Sequence, residues 1–141
     1  MATLFTRIID GELPGRFVWR DERCVAFLTV NPLKPGHTLV VPIEEVDHWL
    51  DCPPDLMAHL VEVARILGRA LQRAYDPEKV ALLVAGLEVH HLHLHVSPIW
   101  TVLDTDFAGA EVDPAPATLD EAQARILMAL AELGHEHPTG P

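Results

Sequence analysis

Cysteine is scarce in this chain: Cys24 and Cys52 are the only two. Their separation fits no Cys-x-x-Cys zinc or redox spacing, and two are too few for a disulfide scaffold. Both thiols are expected to be reduced and buried. Basic residues are also few, 10 against 21 acidic ones, for a formal net charge of −11. An acidic surface repels a phosphate backbone, which argues against a non-specific nucleic-acid or membrane-surface binder. Long apolar runs are missing as well. Arg7 and Asp10 interrupt the N-terminus before any stretch of signal-peptide length. The longest clean apolar run, residues 80–87, is far short of the ~20 residues that a membrane span needs. The expectation is a soluble, cytoplasmic protein with no membrane and no nucleic-acid partner. What is present is a globular composition, 49% hydrophobic and 22% charged over 141 residues, enough for one domain with its own core.

The pattern along the chain is strands first, then helices. Residues 5–10 predict a short helix stopped by Gly11 and Pro14. Residues 16–20 and 24–30 are rich in β-formers around an Asp21-Glu22-Arg23 turn, and 38–41 make a third strand ended by Pro42. Asp51-Cys52-Pro53-Pro54 marks a helix start. Beyond it Met57, Leu60, Val61, Ala64, Leu67, Gly68, Leu71 and Tyr75 recur at helical spacing opposite Glu62, Arg65, Arg69 and Arg73. Asp76-Pro77 ends that helix. Residues 79–85 and 89–98 read as two further strands. Residues 100–117 have no period and read as an irregular arm. Thr118-Leu119-Asp120-Glu121 has the form of a capping box before a second amphipathic helix running to Leu133. Residues 135–141 are expected to fray. The sum is an α+β layer of antiparallel sheet and helix.

The chemically distinctive segment is His90-His91-Leu92-His93-Leu94-His95, which holds four of the chain's 9 histidines. On a strand, His91, His93 and His95 share one face, and Leu92, Leu94 and Val96 the other, with His90 beside them. The leucine face suits a helix-covered core, so the histidine face looks into a cleft or solvent. Three readings stand. The first is a surface strand without function. The second is a metal site, but the outer Cα atoms stand roughly 13 Å apart, so three imidazoles of one strand converge poorly on one ion. Two, with ligands from elsewhere, would suffice. The third is nucleophilic catalysis, in which neutral imidazole attacks phosphorus and a phosphoimidazole divides one hard displacement into two easier ones. No Arg or Lys lies between Val80 and Ala124. A phosphate here would be held by histidines and backbone N–H groups, or by a cation from a distant segment.

His91-Leu92-His93-Leu94-His95-Val96-Ser97 resembles the signature of the histidine triad (HIT) family. Two more segments agree with it. Residues 27–42, with Asn31-Pro32 and Pro35-Gly36-His37, resemble the family's earlier strand–loop–strand, and residues 5–14 resemble its N-terminal helix. The resemblance implies a HIT-like fold: a sheet of about five antiparallel strands, one long amphipathic helix packed on it, a short N-terminal helix and a C-terminal helix. Residues 3–98 would form the HIT core, and residues 99–134 an arm and helix on the same single domain. The resemblance also implies a homodimer and transfer of a nucleoside monophosphate to water, without metal or cofactor. His93 would be the nucleophile, His91 its support, His95 the α-phosphate ligand, and His37 the fourth member of the cluster. Phe5, Ile8, Phe27 and Val30 would line a base pocket, and Gly86 would bring backbone close to phosphate. His48 and His59 are read as ordinary surface groups.

The chain departs from the family pattern at several places. Thr29 stands where an acidic residue often meets the ribose, leaving a weaker hydrogen bond. Gly86-Leu87-Glu88 replaces Gly-Gln-Ser or Gly-Gln-Thr. Glu88 there would repel phosphate unless it pairs with a histidine or points away. Ile99 replaces a frequent Arg, Ile43 a frequent Lys, and Thr3 and Thr6 the Cys-x-x-Cys of zinc-binding members. The expected activity is hydrolysis of a nucleoside phosphoramidate or related nucleotide, as in dinucleotide polyphosphate hydrolases and phosphoramidases. The alternative is a nucleotide-binding module with weak or lost catalysis.

Overall fold

The computed structural model describes residues 2–135. Helix α1 (Leu4–Ile9) is capped by Thr3, whose hydroxyl accepts the Thr6 N–H. Strands β1 (Phe17–Arg20), β2 (Cys24–Leu28) and β3 (Thr38–Pro42) form an antiparallel meander. Helix α2 (Pro54–Tyr75) follows, preceded by a 3-10 turn over Trp49–Asp51. Strands β4 (Lys79–Leu83) and β5 (Leu94–Ile99) complete a five-stranded sheet ordered β1-β2-β3-β5-β4, every pair antiparallel. Helix α3 (Pro116–Glu132) packs on α2 and reaches β1. The α+β expectation and its five-stranded antiparallel sheet are the architecture seen.

Side-chain alternation divides the core between the two faces of the sheet. Ala26, Leu28, Val40, Leu94 and Val96 face α2 and α3, meeting Leu60, Val63, Leu67, Leu71, Ile126 and Leu130. Val25, Phe27, Leu39 and Val41 face the other way, under Phe5 of α1. The buried stripe of α2 is rotated from the predicted one: Leu56, Val63 and Ala70 are covered, while Met57 and Val61 are half-buried. Both cysteines are free and buried, Cys24 against α2.

Four local expectations are corrected. Strand β5 starts at Leu94, not at residue 89, because the five residues before it pair with no sheet neighbour. The Thr118 capping box does not form, since the helix already begins at Pro116, a residue suited to a first turn. Leu133 is exposed beyond the end of α3. His59 is not a plain surface group: its Nε2 lies 2.8 Å from Asp21 Oδ2, tying α2 to the β1–β2 turn. The arm contains two 3-10 turns, Val102–Thr105 and Phe107–Gly109. Of the expected frayed tail, residues 136–141 lie outside the described residues. Among the described residues no helix is long and apolar enough to cross a membrane.

Candidate active site

The alternation that buries Leu92, Leu94 and Val96 under α2 sends His91, His93 and His95 to the opposite face. It holds from His91 onward although regular pairing begins only at Leu94. His90 breaks away, its side chain 75% exposed and 3.6 Å from Asp47.

Each ring of the cluster has its nitrogens assigned by its neighbours. A carbonyl only accepts. His93 Nδ1 stands 2.7 Å from the His91 carbonyl, so Nδ1 carries the proton and Nε2 keeps the lone pair. The Leu33 N–H donates to His37 Nδ1 at 2.9 Å, so the His37 proton sits on Nε2. That Nε2–H donates to His95 Nδ1 at 2.9 Å, which leaves His95 with an Nε2–H donor of its own. His91 Nε2 donates to the Pro42 carbonyl at 2.7 Å, and its Nδ1 accepts the Thr3 hydroxyl at 2.6 Å. These bonds occupy both ring nitrogens of His91 and of His37, so neither ring has a nitrogen left to hold an ion.

Burial keeps the four rings neutral. Desolvation, with the nearby His95 and His93 rings adding to it, pushes His37 down to about 3. Desolvation and then His93 bring His95 to about 4. His91 and His93 are lowered too, again chiefly by burial, against the upward pull of their backbone hydrogen bonds. The rings are packed edge on: Phe5 meets His93 at 5.0 Å between centroids and 87°, and His93 meets His95 at 4.9 Å and 67°.

A cavity of about 680 Å³ opens over this face, within the usual range for small-molecule sites. Ten of the eleven predicted site residues line it: His37, His93, His95, Phe5, Ile8, Phe27, Thr29, Val30, Gly86 and Glu88. His91 does not. It is fully buried behind the cavity wall. Gly86 has φ +76°, and a Cβ there would meet nothing within 4 Å, so its backbone conformation rather than close packing calls for glycine. Glu88 is exposed on the rim and is not among the groups that shift His91, His93 or His95. Among the described residues, the sole Lys or Arg lining the cavity is Arg16, which is paired with Asp120 at 2.8 Å.

The sequence pattern reads residues 100–117 only as an irregular arm, and the structure puts that arm beside the site. Phe107 lies 4.8 Å from the His95 ring and 6.4 Å from His37, centroid to centroid. Lys34–Asp104, Glu111 N–H to the Pro32 carbonyl, and Asp113 N–H to Asn31 Oδ1 fasten the arm to the β2–β3 loop. An aromatic residue in an otherwise aperiodic arm was the available signal. Thr3 and Glu45 were missed as contributors as well. The N-cap character of Thr3 was readable, but its contact with His91 spans 88 positions.

Two groups of side chains bear on metal chemistry. Asp21, Cys24 and His59 bring donor atoms within 4.8 Å of one another, on the α2 side of the sheet. The carboxylate already accepts from Trp19 Nε1, Arg23 N and Cys24 N. Thr3 and Thr6, where the resemblance would place the Cys-x-x-Cys of zinc-binding members, offer neutral hydroxyls, which are not zinc's N/S donor set. Those hydroxyls are spent on His91 and Glu45, so this group does not fit zinc.

Comparison with known proteins gives the same answer as the geometry. The HIT domain matches residues 10–99. An uncharacterized HIT-like protein of Methanocaldococcus jannaschii is 34% identical over 99 residues, 67% of this chain and 77% of that one. An adenylylsulfatase of Arabidopsis thaliana is 30% identical over 67% of this chain and 51% of its own length. Among solved structures, a hypothetical histidine triad nucleotide-binding protein of Sulfolobus tokodaii superimposes with a TM-score of 0.82 at 27% identity, covering 94% of this chain and 97% of that one. A zinc-bound histidine triad family protein of Mycobacterium smegmatis does so at 0.82 and 26%, covering 95% and 96%. With three alternating imidazoles directed to one side, a fourth from His37 just before β3 bonded to His95, and a HIT domain spanning most of the chain, this protein belongs to the histidine triad family.

Proposed function

We propose that the protein is a nucleotide hydrolase or transferase that cleaves the α-phosphate bond of a nucleoside phosphoramidate or related nucleotide through a nucleotidyl-histidine intermediate. One observation carries the reading: the His93 Nδ1–H is fixed on the His91 carbonyl, so its Nε2 lone pair is the ring's reactive nitrogen, on a residue that lines a ligand-sized cavity. In the first step Nε2 bonds to phosphorus and the P–N or P–O bond to the leaving group breaks. The imidazolium that forms keeps its Nδ1–H on the carbonyl. The leaving group takes a proton from solvent, while the His95 Nε2–H stays on its ring as a hydrogen-bond donor. Water then attacks phosphorus and loses its proton to solvent, the N–P bond breaks, and the nucleoside monophosphate departs with the Nε2 lone pair restored. His95 supplies a donor to the α-phosphate, held in that tautomer by His37. Phe5, Ile8, Phe27 and Val30 would receive the base, Thr29 the ribose, and Gly86 and Glu88 the rim. No step calls for a metal or cofactor.

His93→Ala is expected to abolish turnover of an adenosine 5′-phosphoramidate while keeping nucleotide binding, and mass spectrometry of acid-labile adducts should find the nucleotidyl group on His93 in the wild type. Full activity in the variant refutes the mechanism. A second reading, a nucleotide-binding module with weak catalysis, is favoured by Glu88 on the cavity rim and by the lack of a free cation there. Tight monophosphate binding without adduct formation would select it. A homodimer and a cytoplasmic location go with the proposal. The unpaired outer edge of β4, with Leu82 49% exposed, supports the first, and two buried free thiols support the second.

A further inference from the structure

The carbonyl that orients His93 belongs to a residue outside the sheet. Pairing in β5 begins at Leu94, and the 91–93 segment is anchored through the backbone by the Leu92 N–H to the Val46 carbonyl. That bond holds the peptide plane that carries the His91 carbonyl on its Leu92 side, and the way the His91 side chain is held fixes the His91 Cα on the other. Its ring is fully buried and bonded at both nitrogens, to the Pro42 carbonyl and to Thr3.

Behind that ring a line of hydrogen bonds runs to the surface. The Thr6 hydroxyl donates to Glu45 Oε1 at 2.6 Å, and the Thr3 N–H donates to the same oxygen at 3.0 Å. The Thr6 N–H donates to Thr3 Oγ1 at 3.1 Å. The two hydroxyl oxygens are 3.2 Å apart, and Thr3 Oγ1 is 2.6 Å from His91 Nδ1. A hydroxyl has one proton. With the Thr6 proton on the carboxylate, the Thr3 proton goes to the nearer acceptor, His91 Nδ1. That fixes the His91 proton on Nε2, where Pro42 takes it. Each proton in the line is used once, and the two hydroxyls and the ring point in one direction, starting from Glu45 Oε1, which accepts twice.

We infer that Thr3, Thr6 and Glu45 form a positioning relay that holds the His91 ring and, through its carbonyl, aims the nucleophilic nitrogen of His93. None of the three touches the cavity's reacting groups, so they are positioning residues, and the inference rests on the reading of His93 given above.

The test compares the full-length wild type with Thr3→Val, Thr3→Ser and Glu45→Ala, using an adenosine 5′-phosphoramidate and ¹⁵N NMR of the histidine rings. Thr3→Val should lower kcat about tenfold with KM changed by less than about twofold, since a positioning bond acts on the chemical step. Thr3→Ser restores the hydroxyl and should restore kcat. Glu45→Ala should lower kcat about threefold. In the wild type His93 should show a single Nδ1–H tautomer, and in Thr3→Val a mixture. Wild-type kcat together with an unmixed His93 tautomer in both Thr3→Val and Glu45→Ala overturns the relay, as does failure of Thr3→Ser to rescue. Should Thr3→Val not fold, Glu45→Ala at its exposed position decides alone. Should the wild type turn over no phosphoramidate, the functional reading falls, and the tautomer measurement still decides the relay.

Discussion

Acid should weaken this fold through its histidines, and the size of the effect follows from the structure. An unfolded imidazole takes a proton near pH 6.5. In the folded protein His95 waits until about pH 4 and His37 until about pH 3, mainly because burial penalises the cation. Their folded values are depressed, so full stability is present above about pH 6.5. It is lost progressively as pH falls toward 4 and 3, because there the unfolded chain binds protons that the folded chain does not. Each ring costs about 1.4 kcal/mol per pH unit inside that window. From pH 7 to pH 5 the pair sums to just under ~4 kcal/mol. The two rings share one hydrogen bond and feel each other's charge, so about 3 kcal/mol is the figure to test. Lowered His91 and His93 act in the same direction, whereas Asp21, held at about 2, titrates outside the window. Urea denaturation at pH 7 and pH 5 measures the difference directly. His37→Gln removes one titrating group and keeps a donor toward His95, so its loss should be smaller than that of the wild type by the share of one ring, about 1.5 kcal/mol. Equal wild-type stability at the two pH values, or an unchanged loss in His37→Gln, would refute the reasoning.

Three other outcomes are expected. Phe107→Ala removes the arm's ring from beside His95 and should raise the Kd for a nucleoside monophosphate about five- to tenfold by calorimetry, with stability changed by less than ~1 kcal/mol. Asp21→Ala leaves the Trp19 indole N–H, His59 and two backbone N–H groups of the β1–β2 turn without their acceptor, and should cost about 2–3 kcal/mol in urea titration. Gly36→Ala should cost about 2 kcal/mol or more by the same assay. Its φ is +98°, and the added Cβ would come 2.7 Å from Tyr75 Cε2 and 2.9 Å from Leu71 Cδ2.

What could be read in the sequence was what a short period determines. Leucine–histidine alternation placed two faces of one strand, and apolar spacing located α2, because both patterns are local consequences of backbone geometry. The exact face of α2 was not readable, since Leu56, Val63 and Ala70 are chosen by the neighbours that cover them. The depth of each histidine was not readable either. His91 and His93 are two residues apart, yet one is sealed behind the wall and the other lines the cavity, a difference made by Thr3 and Pro42. The arm failed for the same reason. Its backbone bonds go to Asn31 and Pro32, far away in sequence, so its course left no period to detect.

The scarcity of cations and the burial of the imidazoles belong to one design on the proposed reading. A lysine beside His93 would attract phosphate, but it would also depress an imidazole that is already reluctant to take charge, and it would need desolvating itself. Four neutral rings avoid that cost. Burial lowers the proton affinity of His93, so its Nε2 lone pair stays available well below the pH at which free imidazole is protonated. The same low-dielectric surroundings strengthen the His95 Nε2–H as a donor to an anion. The positive charge needed to balance a phosphate then arises at the moment Nε2 bonds to phosphorus, on a ring whose Nδ1–H is already held by a carbonyl at 2.7 Å. Charge appears where the transition state needs it and is absent before, the condition under which an interaction raises kcat rather than merely tightening substrate binding.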